Sequence, residues 1–508
     1  MSTSENNKRI AKNTAFLYLR MLFNLAVSLF TARVILETLG IEDYGLYNVV
    51  GGVIGLFTII SAVLNSATSR FLTIELGKND EKAMRKVYKN SMSLYIILCL
   101  IIFVLEETIG LYIVNNTLLI PEERLMACNL LYQMVVVSSV GGLLIVPAGS
   151  LLIAYERMNI FAYLGVGETL ARLLVVYVVV LSPFDKLISL AILNLIVFVI
   201  FSVFKLVYCS RTFKNVYSNR IEWDRGLIGS MVSFSFWNLI GSAAYVLRIQ
   251  GVNILINVFF GPIVNAANAI AYQINTAVGG FVTNFTTAVN PQITKSYASV
   301  KHDEMRNLIY RSGKFTFYLL MLLCFPILFE TDFVLHLWLG NNIPEYTTIM
   351  TRLVLIISMV ETFTYSIGCA VNATGKIRNY QLVICSVMLL IFPITWGCFK
   401  FGAPPYYGLV VYLFTSVIAL MLRFHFMKTL LGISPIEYTK KVYLHTTLVG
   451  VIALILPSIV YLNMESGWVR FMVICVITEI SNVILIWLLG LDKSERNFVK
   501  SMLRKIHK

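Results

Sequence analysis

Nine of the 41 basic residues fall inside stretches apolar enough to cross a bilayer: Arg20, Arg33, Arg70, Arg172, Lys205, Arg248, Arg352, Arg423 and Arg470. A charge at bilayer depth costs about 2.5–3.5 kcal/mol even on the lenient insertion scale, so by default it faces a cavity or a partner. A guanidinium placed there offers a permanently charged fork that grips phosphate oxygens in pairs. Depth sorts the nine. Lys205, Arg423, Arg70 and Arg470 lie within a turn or two of a span end, and the stems of Lys205, Arg423 and Arg470 are placed to snorkel to the interface. Arg352 reads either way. Arg248 lies about 15 Å below the outer end of its span at 1.5 Å per residue, with no acid within one turn, which predicts a cavity-lining role. Arg172 has Glu168 four residues before it, and Arg33 has Glu37 four residues after it. For both, an ion pair within the helix and cavity lining stay open as alternatives. Arg20, about a third of the way into the first span, has no such neighbour.

The deep acids are Glu168, Glu361 and Glu479. A carboxylate that can take a proton in the membrane is what proton-coupled transport needs, and Glu168 and Glu361 are the candidates for it. The polar stripe of NAANAIAYQIN places Asn265, Asn268, Tyr272 and Asn275 on one helical face. Such amides either bond neighbouring helices or line a wet path for sugar hydroxyls, and the path is the expectation here. Gly279 and Gly280 then permit bending or close approach, and Pro291 is expected to interrupt the helix. No nucleophile–base constellation or phosphate-cradling glycine loop occurs in the chain. The eight cysteines form no CxxC pair, and the five histidines show no metal-ligand spacing. The expectation is no cofactor, no metal and no enzymatic chemistry.

Elements must hold these residues at depth, and the composition says which. Of the 508 residues 58% are hydrophobic and 13% charged, with a mean hydropathy of +0.77. A soluble domain carries about a quarter charged residues. Continuous apolar runs of about 20 residues exclude a β-barrel, whose strands alternate, and leave helices, which satisfy their own backbone. Fourteen spans are predicted, at 13–38, 47–75, 92–115, 125–153, 160–181, 187–209, 227–258, 265–294, 315–337, 347–374, 380–399, 407–426, 445–462 and 469–490. With the N-terminus inside, the inner segments hold 29 Lys and Arg and the outer loops hold three: Arg124, Lys186 and Lys400. That asymmetry predicts that both termini are cytoplasmic. It also accounts for the net charge of +14 without invoking nucleic acid. The apolar stretch after MSTSENNKRIAKN lacks a cleavage site and reads as a retained first span. Short outer loops leave no room for an external catalytic domain. The basic inner segments GKNDEKAMRKVYKN and KSYASVKHDEMRNLIYRSGK read as interfacial helices on anionic lipid.

An internal repeat is visible. An offset of 221 residues superposes Gly40 of VILETLGIEDYGLYNVV on Gly261 of ILINVFFGPIVNAANAI, both at the start of short outer turns. A long span and a basic inner segment follow each. The pattern predicts an all-α polytopic membrane protein: a six-helix lobe over 1–210, a second over 211–426, and two further helices with a basic tail over 427–508. Repeat-built transporters place substrate between their halves.

The segments RIQGVNILINVFFGPIVNAANAIAYQI and NFTTAVNPQITKSYA strongly resemble polysaccharide-biosynthesis membrane proteins. So do the opening NTAFLYLRMLFNLAVSLFTARVILETLGIEDYGLYNVVGG and the NSATSRFLTIELGKND region. These are the O-antigen and capsular repeat-unit flippases of the multidrug/oligosaccharidyl-lipid/polysaccharide (MOP) exporter superfamily, and the resemblance covers most of the first twelve spans. It implies two six-helix lobes around a cationic cavity, and alternating access that moves an undecaprenyl-pyrophosphate-linked oligosaccharide from the cytoplasmic to the periplasmic leaflet of a bacterial inner membrane. It implies as partners that lipid-linked oligosaccharide, membrane lipid, and a polysaccharide polymerase with its chain-length machinery. Arg20, Arg33 and Arg248 match its cavity arginines by helix and approximate depth. One departure stands out: related cation-coupled drug exporters carry a mid-membrane acid on the first span, and here none precedes Glu37. The alternatives are a multidrug or lipid-precursor exporter of the same superfamily, or, in another class, a membrane polymerase or glycosyltransferase.

Overall fold

The computed structural model describes residues 3–57, 68–69, 71–72, 75–76, 80–155, 157–217, 222–298, 300–493 and 495–497. Arg70 and the basic tail from 498 lie outside them. So does the side chain of Arg20, whose backbone belongs to the first helix. Helix is the regular secondary structure of the described residues, with no strand among them. Eleven of these helices are long and apolar enough to cross a membrane, and they coincide with the third to seventh and ninth to fourteenth spans read from the sequence. The first span and the start of the second occupy α1 (Thr3–Gly55). The eighth is α7 (Pro262–Ala298), whose amides and threonines lower its hydropathy. The reading of about 14 spans therefore stands.

The chain divides into two compact units, Met1–Ala269 and Ile270–Lys508, with the division inside α7. The lobe limits drawn from the repeat (1–210, 211–426 and 427–508) remain a proposal beside this division. The first unit holds α1, α2 (Glu81–Leu105), α3 (Glu122–Ala154), α4 (Met158–Leu181), α5 (Lys186–Thr212), α6 (Arg225–Phe260) and the start of α7. Helix starts follow from capping chemistry. Asp80, Asp185 and Asp224 each accept a backbone N–H three residues on, at 2.9–3.0 Å, and Pro262 opens α7 where its missing N–H costs nothing. Leu46, Val49, Val50 and Val53 of α1 pack with Cys128, Leu131 and Tyr132 of α3, Leu187 and Ala191 of α5 and Ile254 of α6. On the outer faces of α4 and α5, Leu174, Val178, Ile200 and Phe204 are all more than half exposed, as lipid-facing side chains must be.

The second unit continues with α8 (His302–Phe329), α9 (Thr331–Leu339), α10 (Thr347–Ala373), α11 (Arg378–Leu389), α12 (Ile391–Lys400), α13 (Tyr407–Leu431), α14 (Pro435–Tyr438), α15 (His445–Asn463) and α16 (Trp468–Leu485). Phe317 of α8 stacks on Phe363 of α10 at 5.2 Å between centroids, and the Tyr438 hydroxyl donates to the Phe363 carbonyl at 3.4 Å. Among the described residues π-helical turns occur at Glu106–Gly110, Ile113–Thr117, Thr439–Leu444 and Ile486–Gly490. Two local expectations are corrected. Helix α7 runs through Pro291 to Ala298 without a break, because membrane helices tolerate an interior proline whose freed carbonyl finds other donors. A Cβ at Gly279 would meet nothing within 4 Å, so that glycine does not serve a close helix approach.

Candidate functional site

In lipid the apolar surface gives little drive for helix association, so packing and polar contacts decide which helices meet. The first unit shows this between α1, α6 and α7. A Cβ on Gly52 would sit 2.8 Å from both the Gln250 Oε1 and the Asn253 Nδ2, and one on Gly45 would overlap the Pro262 carbonyl oxygen. Glycine at these positions lets the polar face of α6 and the start of α7 press onto α1. Behind that contact Asn253 Oδ1 accepts from Asn265 Nδ2 at 2.6 Å and from Asn268 Nδ2 at 3.2 Å. The Asn253 carbonyl accepts a second bond from Asn265. Asn265 and Asn268 are 0% and 2% exposed. In this structure the two amides join helices. A role for them toward sugar hydroxyls is a proposal that needs this cluster to open.

Arg248, on α6 before Gln250 and Asn253, is 2% exposed, with its guanidinium carbon 5.3 Å from the centroid of the Tyr245 ring. A cation over an aromatic face recovers part of the desolvation cost. Two other described arginines of the first unit use local acids. Arg33 Nε donates to Glu37 at 2.9 Å. Arg172 Nη2 donates to Glu168 at 2.9 Å, and its Nη1 reaches Asn194 at 3.4 Å. Both pairs are about 40% exposed, the regime in which an ion pair is worth little and exchanges readily for a better anion.

The second unit places Tyr272 and Asn275 farther along α7. Ser358 of α10 donates its hydroxyl to Asn275 Oδ1, and Ser416 of α13 donates to Glu361 Oε1 at 3.2 Å. Glu361 thus sits in a hydroxyl-lined contact of α10 with α13. Arg470 does not snorkel: it forks onto Glu330, itself 1% exposed, at 2.7 and 3.1 Å. Its partner lies 140 residues away, beyond any local spacing rule. Arg352 engages Asp332 at 3.2 Å and the Thr331 hydroxyl.

One polar group escaped the sequence reading. Glu106 is 0% exposed. Its Oε1 accepts from Ser139 at 2.8 Å, and among the described residues its Oε2 has no partner. It opens a π-helical turn, a distortion frequent at functional sites. The signal was present in the adjacent acids of IIFVLEETIGLYIV, but their place near a span end disguised them. The first unit thus places guanidinium groups, amides and the buried Glu106 carboxyl within its helices, and the second places Asn275 and Glu361 against hydroxyls.

These features define a polytopic helical membrane protein. The model of the polysaccharide biosynthesis protein family matches residues 10–297, more than half of the 508 residues, and the chain belongs to that family. Its fold is shared by solved MOP-superfamily structures. One, described as the lipid II flippase MurJ in an inward closed conformation, superposes with a TM-score of 0.70 at 14% identity, covering 92% of this chain and 97% of that one. An inward-facing multidrug resistance MATE family transporter gives 0.67 at 13% identity, covering 81% and 94%. A MOP superfamily transporter from Pyrococcus furiosus, whose binding pocket is described as reversed in polarity, gives 0.63 at 13% identity, covering 83% and 96%. No curated protein sequence matches the chain. The family and the helical spans make the chain a multi-pass membrane protein of the polysaccharide biosynthesis family.

Proposed function

We propose that this chain is a flippase that carries an undecaprenyl-pyrophosphate-linked oligosaccharide repeat unit from the cytoplasmic to the periplasmic leaflet of a bacterial inner membrane, by alternating access, with both termini in the cytoplasm. The observation that carries this reading is membership of the polysaccharide biosynthesis family by a chain with a multi-pass, flippase-type fold. The physics agrees. A sugar head stripped of water loses its hydrogen-bond partners in hydrocarbon, and a pyrophosphate suits arginine forks. Arg248 is the proposed phosphate ligand at depth, with Arg20, Arg33 and Arg172 beside it. The arginines already paired with Glu37 and Glu168 would exchange those acids for the cargo. Asn265, Asn268, Tyr272 and Asn275 are the proposed sugar-facing groups. Lipopolysaccharide or capsule synthesis is the proposed setting, with a polymerase and chain-length machinery downstream.

The test is a leaflet-accessibility assay for lipid-linked glycan in a strain lacking this protein. The native chain restores external glycan, Arg248→Ala cuts it at unchanged abundance, and Arg248→Lys restores part. Normal transport by the Ala variant would remove Arg248 from the site. Unchanged glycan sidedness in the deletion strain would remove the function.

Coupling is proposed to be proton-linked. Glu168 is occupied by Arg172, which favours Glu361, and Glu106 joins it on burial. In liposomes, transport without nucleotide should respond to an imposed pH gradient, and Glu361→Gln or Glu106→Gln should abolish that response while sparing downhill exchange. A drug-antiporter reading is disfavoured by the first span, which carries no acid before Glu37.

A further inference from the structure

The second unit contains a cavity of about 680 Å³ that takes no part in the reading above. It is bordered by the first turns of α8, by α14 with the π-helical turn after it, and by the π-helical turn that ends α16. Its cationic lining is Arg306, Arg311, Lys314, Lys440 and Lys441, with His445 beside them. Three acids also line it, and each is already engaged. Lys314 Nζ donates to Glu495 at 3.1 Å, with both side chains at most 10% exposed. Asp492 and Glu495 cap one another's backbone N–H groups at 2.8 and 2.9 Å. Glu437 accepts from Lys441 at 2.7 Å. Arg306 reaches Asp303 outside the cavity at 2.9 Å. The cations outnumber the acids, so the cavity attracts an anion.

The rim says what kind. Leu489 lines the cavity at 47% exposure, and Leu444 and Leu448, either side of His445, are 54% and 60% exposed. A free phosphate would use the cations and ignore Leu489, which lines the cavity, and the exposed leucines that flank His445 in the chain. A phospholipid uses both, with its phosphate in the cavity and its acyl chains along the leucines. Two of the four described π-helical turns border this one cavity and supply Lys440, Lys441 and Leu489, and such turns recur where a helix has been reshaped for function. Basic pockets between membrane helices are a known means of holding anionic headgroups. We propose that this cavity is a binding site for the phosphate headgroup of an anionic membrane phospholipid. Its occupant ties the last two helices to α8. The site is independent of the cargo and of the flippase reading.

The experiment uses the full-length protein in detergent and follows thermal unfolding. Phosphatidylglycerol, phosphatidylcholine and inorganic phosphate are added at equal phosphate concentration. Phosphatidylglycerol should raise the midpoint by a few degrees, as a ligand of the folded state does, and the other two should not. Arg311→Gln with Lys440→Gln should lose most of that shift, and Arg311→Lys with Lys440→Arg should retain it. Should the first pair fail to fold, Lys440→Gln alone, on an exposed side chain, must reduce the shift. Neutralising two exposed cations elsewhere, Lys82→Gln with Arg85→Gln, should leave it intact. The proposal is overturned by an equal shift with phosphatidylcholine or with inorganic phosphate alone. An undiminished shift in the cavity variants, or an equal loss in the Lys82 and Arg85 control, overturns it too.

Discussion

The turn at Gly40 and the turn at Gly261 are the same piece of backbone filled with different chemistry. Their torsions are φ 78°, ψ 171° and φ 80°, ψ −176°, a region open essentially to glycine alone. Each glycine stops one helix and lets the next begin at once. At the offset of 221 residues, Tyr44 and Tyr47 of the first turn stand where Asn265 and Asn268 stand in the second, and Asp43 stands where Val264 does. The first turn is held by charge: Arg124 Nε donates to Asp43 at 2.8 Å, and its Nη1 reaches Asp185. The second is held by amides: Asn257 accepts the Leu119 N–H at 2.8 Å, and Asn253 gathers Asn265 and Asn268. A repeat in this chain therefore fixes the backbone device and leaves each copy free in how it anchors that device. The two turns also touch, through Gly45 and Pro262.

That contact gives the largest expected effect. Gly45→Ala would drive a methyl into the Pro262 carbonyl oxygen, a backbone atom that no rotamer can move, and should cost about 3 kcal/mol, at the upper end of overpacking. The counterpart in the second turn is already Ala266, and Ala266→Gly should cost only about 1 kcal/mol, the helix-propensity difference. Thermal unfolding of the two variants in detergent checks the ratio, and equal costs would break the contact argument. Next, Gly40→Ala and Gly261→Ala should each cost about 2 kcal/mol of backbone strain. Similar losses sharpen the equivalence of the turns, whereas a loss at only one shows that the two are held by different constraints. Asn253→Ala should follow at roughly 1.5 kcal/mol, because it removes the Oδ1 acceptor shared by the buried Asn265 and Asn268 amides, of which Asn265 alone keeps a bond to the backbone carbonyl of residue 253. It should leave the Gly40 turn untouched, which a cysteine-accessibility scan around Asp43 can read.

The smallest effect is the pH dependence of the first turn. Burial pushes the Asp185 carboxyl up, but its bonds from Arg124 and the Ile188 N–H outweigh that and hold it below the ordinary value of 3.8. A depressed acid stabilises the fold above its ordinary value, and the contribution is lost as pH falls through the folded-state value. Asp185→Asn keeps the helix cap and should cost under about 1 kcal/mol at pH 7, since the pair is part exposed. The gap to the native chain should close below about pH 4. No gap at pH 7 would show that Arg124 anchors this turn through Asp43 alone, and a gap that persists in acid would show that the cost is not one of charge.

Much was legible in the sequence because it is written locally. Apolar runs, the 29 to 3 charge asymmetry and the two glycine turns are patterns of near neighbours, and the spans and the repeat follow from them. The pairs Arg33–Glu37 and Arg172–Glu168 could be named in advance because four residues is one helical turn. Glu106 was missed because its burial depends on Ser139 and Tyr132 of another helix.

By itself the sequence determined that the chain is helical and spans a membrane many times, because backbone satisfaction in lipid permits little else, and that glycines must stand at 40 and 261. Only the tertiary structure decided which polar groups are occupied. Asn265 and Asn268 turn to Asn253 across a reversal of the chain, Arg470 finds Glu330, and Lys314 finds Glu495 over 181 residues. A buried charge takes whichever partner packing brings within about 3 Å, and no periodicity along the chain records that distance.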